Sequence, residues 1–272
     1  MDSLHRPGVP RVVLMCHEGD RIDTEGLAAW IATSMDLVGI IKIREKSDRM
    51  RQRVRREIKR VGWLRFLDVL AFRAYYRLVW ARRDRAWIEA ETRRLKERYP
   101  VDPSGVMTLV TADPNSPAVK AFLHWLKPDL MLARCKSILK QDVFSRPGHG
   151  TYVLHPGICP EYRNAHGCFW ALVNRDKQRV GMTLLRVDPG VDTGPMLLQC
   201  TYGYDELTES HTVMQYRVVT ENLDAVADKL KAAWQGVLDP LPLKERKSAA
   251  WGQPWLSAYL RWKSAARQEA TR

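Results

Sequence analysis

The chain has 272 residues, 45% of them hydrophobic, with 44 Lys and Arg against 31 Asp and Glu and five Cys. That apolar content excludes a disordered chain, and no run of eighteen apolar residues offers a spanning helix. An odd cysteine count with no CxxC pair argues against a disulfide framework and for a reducing, cytoplasmic setting. Met1–Pro10 also lacks the charged-then-apolar pattern of a secretory leader.

In chain order, the apolar run Arg11-Val-Val-Leu-Met-Cys16 reads as a buried first strand. A helix follows over Thr24 to Met35, with Thr24 as a candidate N-cap, and Leu37 to Ile43 forms a second strand. Strand, helix and strand in so short a span make a βαβ unit and hence a parallel sheet covered on both faces. The pattern is then interrupted. Ser47 to Tyr99 holds one Gly and mostly strong helix formers, which predicts two or three helices. Strands resume at Val106–Val110 and Pro128–Ala133, flanking a helix over Ser116 to Trp125. Thr151–His155 is the next strand, followed by a helix from about 165 to 174, strands at Val180–Val187 and Met196–Cys200, and one long helix from Thr208 to Trp234. In the tail, Trp255, Tyr259 and Trp262 share one helix face.

The net charge of +13 is local. Lys42 to Arg98 contains twenty basic and eight acidic residues, whereas the rest of the chain holds twenty-four against twenty-three. A near-neutral domain therefore carries one strongly basic insertion, through which any acidic partner would be attracted.

Polar residues with catalytic potential concentrate between Gly148 and Gly194. His155 ends an apolar strand and is followed at once by Pro-Gly, at the strand end where open parallel sheets bind ligands. A second loop, Asp188-Pro-Gly-Val-Asp-Thr-Gly194, can bring Asp188 or Asp192 alongside as a carboxylate orienting a general acid/base. The plainer alternatives are a strand-capping His155, an Asp188 that only shapes a turn, and a structural His166. His155, Cys159, His166 and Cys168 match no common zinc spacing, so no metal is expected and the thiols read as buried and inert. Arg134 and Lys136 stand at a strand end, as ligand contacts or as a solvated loop. Asn115 is a substrate contact or a helix cap.

The stretch from Pro128-Asp-Leu through His155-Pro-Gly, Pro160-Glu-Tyr-Arg163 and Asp-x-Gly-x-Asp-Thr-Gly resembles the catalytic domain of the folate-dependent formyltransferases. That family includes methionyl-tRNA formyltransferase, glycinamide ribonucleotide transformylase and the sugar N-formyltransferases. The likeness is good over about 100–200 and absent over 47–99. It implies an α/β, Rossmann-like formyltransferase fold with a twisted, parallel-rich sheet and a helical insertion. The implied catalytic domain spans 1–240, interrupted by the insertion at about 46–99, with a helical tail over 241–272. It further implies transfer of a formyl group from 10-formyltetrahydrofolate to a primary amine. In the family pattern His155 and Asp192 are catalytic, and folate lies against Lys136, Ser137, Ile138, Leu139, Asp188 and Val191. Arg163, Asn164 and His166 are candidate acceptor contacts. The sequence departs from the family at Val153, two before His155, where the pattern has Asn, and has Gly157 where many relatives have Ser. Losing one such donor costs about 10²–10³ in rate; Asn164 and His166 are the nearest replacements.

The leading expectation is an N-formyltransferase for a small, phosphorylated amine such as a nucleotide- or lipid-linked amino sugar. The alternatives are a deformylase-like hydrolase on the same scaffold and a non-catalytic, membrane-associated relative. No nucleic-acid motif is visible. The aromatic and basic insertion leaves open a peripheral contact of 47–98 with the inner membrane face, a hairpin packed on the domain, and a homodimer.

Overall fold

The computed structural model describes residues 8–44 and 47–271. Residues 1–7, most of the stretch read for a leader, and the entry to the insertion at 45–46 lie outside the described residues. The first strand, β1 (Arg11–His17), is hydrophobic from Val12 to Cys16 and is buried on both faces there. Val12, Leu14 and Cys16 point to one core, and Val13 and Met15 to the other. A single π-turn (Ile22–Leu27) leads into α1 (Ala28–Ser34) and β2 (Asp36–Ile43). After the insertion come β3 (Thr108–Thr111), α4 (Pro117–Leu126), β4 (Leu130–Arg134), α5 (Gln141–Phe144) and β5 (Thr151–His155). The sheet continues through β7 (Gly181–Arg186) and β8 (Met196–Thr201), in the order β3-β2-β1-β4-β5-β7-β8. The first five strands are mutually parallel, and the last two pairings, β5–β7 and β7–β8, are antiparallel, so that only β7 runs against the rest of a parallel-rich α/β sheet.

From β1 the chain winds to β2 and β3 on one side and later to β4 and β5 on the other. The order thus reverses between β1 and β4, and ligands of open α/β sheets bind in the crevice outside the strand ends at such a point. β5, bearing His155, is the next strand along.

Three local readings differ from the sequence expectation. Thr24 does not cap α1; it lies within the π-turn and its hydroxyl donates to the Asp20 carbonyl at 2.8 Å, while the Asp20 carboxylate accepts from the Asp23 amide at 3.2 Å. The cap ahead of α4 is Ser116, whose hydroxyl accepts from the Val119 amide. The long helix is two, α7 (His211–Thr220) and α8 (Leu223–Trp234). Asn222 between them donates its side-chain amide to the carbonyls of Val218 and Thr201, the local competition with helix hydrogen bonds that suits Asn to helix ends.

The insertion comprises α2 (Ser47–Val79), broken at Gly62 with φ 77° and ψ 165°, and α3 (Ala81–Arg98), so it has three helical pieces. It packs on the domain. Phe72 is buried with its ring centroid 5.1 Å from His211, 5.4 Å from Tyr259 and 5.8 Å from Phe169. Buried Asp84 accepts from Tyr76 and Ser210, each at 2.7 Å, tying both insertion helices to α7. The tail closes over this cluster. α9 (Leu256–Ala270) buries Tyr259 and Trp262, and Tyr259 accepts from the Trp80 indole at 2.8 Å. Trp255 precedes α9 and takes the Arg65 guanidinium over its ring at 4.4 Å.

Candidate active site

The site is built on the chain leaving β5. Residues 156–166 form a loop crossing the strand ends, with a cis Cys159–Pro160 bond, before α6 (Gly167–Val173) begins. The loop is stapled from several elements. Buried Thr183 of β7 donates to the Gly157 carbonyl at 2.8 Å and accepts from the Cys159 amide at 3.0 Å. Gln199 of β8 and Arg246 of the tail both donate to the Cys159 carbonyl. Arg163–Asn164 (β6) pairs in parallel with Ala250–Trp251 (β9), which makes the tail part of the loop's support.

On that frame His155, almost fully buried, has both ring nitrogens engaged. Nε2 lies 2.7 Å from the Tyr162 carbonyl. A carbonyl can only accept, so Nε2 carries a proton. Nδ1 faces Asp192 Oδ2 at 3.5 Å. Nδ1 is thereby the ring nitrogen left to face the carboxylate and a ligand. Asp192 Oδ2 also accepts from the Asn164 amide at 2.8 Å, and Arg163 donates to the Val191 carbonyl at 2.8 Å. His155, Asp192, Arg163, Asn164 and Val191 are thus brought together.

The backbone here is held in uncommon shapes. Asn164, His166 and Asp192 have φ of 78°, 56° and 51°. Non-glycine residues rarely adopt the left-handed region, and clusters of them mark sites where surrounding structure over-determines the chain. Gly157 is required by close approach. A Cβ there would lie 2.6 Å from the Tyr162 carbonyl oxygen, 2.8 Å from His155 Nε2 and 3.0 Å from the Gly167 Cα. Gly157→Ala is therefore expected to lower stability by about 1–3 kcal/mol and to push the Tyr162 carbonyl off His155. A melting curve checks the first effect; the second would show as a changed histidine ring resonance in NMR.

The remaining residues singled out from sequence fall into place as follows. Asp188 accepts from the Gly190 amide at 3.0 Å and the Thr193 hydroxyl at 2.8 Å, so its carboxylate shapes the loop that carries Asp192. The Lys136–Leu139 segment leaves β4 beside the site. The Lys136 amide donates to His17 Nε2 at 3.1 Å, the Ser137 carbonyl lies 3.5 Å from Cys135 Sγ, and Leu139 is buried. Asn115 clips this segment by donating to the Ile138 carbonyl at 3.0 Å and accepting from the Lys140 amide at 2.7 Å, a use neither sequence reading foresaw. Asn164, considered as a replacement donor, gives its side-chain amide to the Trp251 carbonyl at 2.5 Å. His166 Nδ1 is met by Gln215 at 3.2 Å, and its ring lies 5.8 Å from His211. Burial, then the positive charge of Lys136, pushes the His166 imidazole down to about 3; Arg73 of the insertion adds to it. Cys159 and Cys168 are buried, and desolvation pushes both thiols up to about 12. Val153 lies on the same face as His155, packed among apolar side chains from both neighbouring clusters.

The Arg134 guanidinium is engaged within the protein and is not part of a solvated loop. It is buried, donates to Asp23 Oδ1 at 3.2 Å and to the Leu154 carbonyl at 2.6 Å, and so ties the turn after β1 to the residue before His155. Asp23, the bridge it forms with Arg134 and the Tyr162 carbonyl escaped the sequence reading. A carbonyl has no signature in composition, and Asp23 meets Arg134 across 111 residues of chain.

A parallel-rich sheet with a strand-end histidine 3.5 Å from a carboxylate, beside a topological switch point, has the layout of an α/β ligand-binding site. The formyl transferase family profile matches residues 89–230, half of the chain, and the protein belongs to that family. Methionyl-tRNA formyltransferase from Caldanaerobacter subterraneus subsp. tengcongensis is 28% identical over 156 residues, covering 56% of this chain and 49% of the relative. Human mitochondrial 10-formyltetrahydrofolate dehydrogenase is 27% identical over 115 residues, covering 42% of this chain and 12% of that one. The chain thus spans half or less of the length of these curated relatives. Glycinamide ribonucleotide transformylase 1 from Symbiobacterium toebii shares the fold with a TM-score of 0.52 at 14% identity, covering 85% of this chain and 90% of its own.

Proposed function

We propose that this protein transfers a formyl group from 10-formyltetrahydrofolate to a primary amine of a small phosphorylated metabolite, such as a nucleotide- or lipid-linked amino sugar. The observation that carries the reading is the His155–Asp192 pair, held by three left-handed residues and a stapled loop at the carboxyl end of β5. The surroundings fit the donor. Ile138 and Val191, on the two flanking loops, are 67% and 41% exposed, and they offer apolar walls for a flat ring. Beside them Arg163 Nε is buried without a partner. Bound there, the donor supplies the activated formyl group.

The chain's own residues manage protons and charge. The Tyr162 carbonyl fixes the His155 ring through Nε2, so exchange with the substrate runs through Nδ1 and Asp192 Oδ2. As the amine nitrogen bonds the formyl carbon, Asp192 takes the proton that the amine sheds and Nδ1–H stabilises negative charge on the formyl oxygen; the proton then passes to N10 as the C–N10 bond breaks and tetrahydrofolate leaves. Since Val153 offers no amide, that polarising load falls on His155. Lys136 from the sheet edge and Arg73 from the insertion both act on His166 as nearby positive charges. That supports an anionic acceptor.

Calorimetric titration with 5-formyltetrahydrofolate, a stable isomer of the donor, tests the reading. Micromolar binding that weakens at least about tenfold in Asp192→Ala is expected. No binding at millimolar ligand would remove folate from the proposal. Formyl release without any amine would point to the hydrolase instead.

A further inference from the structure

α2 beyond Gly62 is apolar on two faces. The inner face carries Phe66, Val69 and Phe72, all buried. It is fixed further by Asp68, which accepts from the Ser257 amide at 3.0 Å and caps α9. The outer face carries Trp63, Leu64, Leu67, Leu70, Ala74 and Leu78, spaced so that they form one stripe along the helix. This stripe is bare: Leu64 is 87% exposed, Leu78 85% and Trp63 68%. Solvent-facing helix stripes are polar in monomeric proteins, and a contiguous apolar one marks an interaction surface.

Charge selects the partner. The stripe is bordered by Arg73 and Arg77, both exposed, while Arg65 is turned to Trp255 and Asp68, the one acidic residue of this half, is turned inward to α9. The next helix adds exposed Arg82, Arg83 and Arg85. A symmetric dimer through the stripe would press two such arginine borders together, which like-charge repulsion opposes. An anionic bilayer accepts both features, with leucines and tryptophan at the acyl boundary and arginines at the headgroups.

We infer that the outer face of α2 between Trp63 and Leu78 seats the protein on the surface of an anionic lipid bilayer. The contact is peripheral: among the described residues no helix is long and apolar enough to cross a membrane. Because both sides of the helix are already assigned, the outward leucines can be changed without disturbing the packing of Phe66, Val69 and Phe72.

Flotation of the full chain with vesicles is the test. Phosphatidylcholine vesicles containing about one-third phosphatidylglycerol are expected to carry the protein, and pure phosphatidylcholine vesicles are not. Leu64→Ser combined with Leu67→Ser should weaken the anionic binding by about tenfold with an unchanged melting temperature. Raising salt should weaken it in the wild type as arginine–headgroup attraction is screened. Absence of flotation with anionic vesicles overturns the inference, as does equal flotation of the double variant. A wild-type dimer in light scattering that the double variant turns into a monomer assigns the face to a second copy and also overturns it.

Discussion

His155→Gln is expected to lower turnover of 10-formyltetrahydrofolate in the presence of an amine acceptor by about 10²–10⁴-fold, the usual range for a lost acid/base group. The substitution is chosen on geometry. A glutamine amide can still donate to the Tyr162 carbonyl, the bond that Nε2 makes at 2.7 Å, so the loop after β5 keeps its anchor. What disappears is the second nitrogen facing Asp192 Oδ2 at 3.5 Å, and with it the exchangeable proton. Folate binding should therefore survive while kcat falls, whereas Asp192→Ala removes the proton acceptor and also releases the Asn164 amide and loosens the loop carrying Val191, so that kcat and binding fall together. Stopped-flow or steady-state release of tetrahydrofolate measures the first quantity and calorimetry the second. Undiminished turnover in His155→Gln would remove this histidine from the chemistry.

The second large effect is on stability in acid. His166 and His211 are both held neutral by burial; His166 is pushed down to about 3, and His211 well below the ordinary imidazole value, with His166 and Lys263 adding to it. His211 Nδ1 is buried and has no hydrogen-bond partner. In the unfolded chain each titrates near the normal value, so the unfolded state takes up protons first as pH falls. The stability these groups contribute is complete above about pH 6.5 and is lost progressively below it, at about 1.4 kcal/mol per pH unit for each. Between pH 7.5 and 5 each histidine is expected to remove about 2 kcal/mol. Buried Asp23 acts in the opposite sense, because desolvation outweighs Arg134 and pushes its carboxyl up to about 7. The informative quantity is therefore the difference between wild type and His211→Gln. Urea unfolding at the two pH values should show the variant losing about 2 kcal/mol less than the wild type. Equal losses would mean that His211 can be charged in the folded protein.

The sheet and the central pair of the site were legible in the sequence for a common reason. The central strands β1, β4 and β5 carry short, continuous apolar runs, which burial on both faces explains, and His155 and Asp192 stand at a strand end and in a loop whose Pro and Gly residues announce turns. The supporting shell was not legible, because it is made of backbone atoms and of partners far apart in the chain. The Tyr162 carbonyl, the Arg134 bridge from Asp23 to Leu154 and the pairing of Asn164 with Trp251 leave no pattern in residue type. The same holds for Arg134 itself. An arginine closing an apolar strand reads as a surface charge until the turn after β1 supplies a buried carboxylate. The insertion was half legible. Its aromatic and basic composition signalled two environments, and the structure distributes them to opposite faces of one helix instead of choosing between them.

The pairing of Arg163–Asn164 with Ala250–Trp251, together with the grip of Arg246 on the Cys159 carbonyl, has a consequence for how the molecule comes into being. During synthesis the seven strands of the sheet are all available once Thr201 has left the ribosome, so the scaffold can condense early. The loop beside His155 must wait for about fifty further residues, because its partner edge, Ala250–Trp251, follows the last strand of the sheet at that distance. The frame of the candidate site is therefore assembled after the sheet on which it stands.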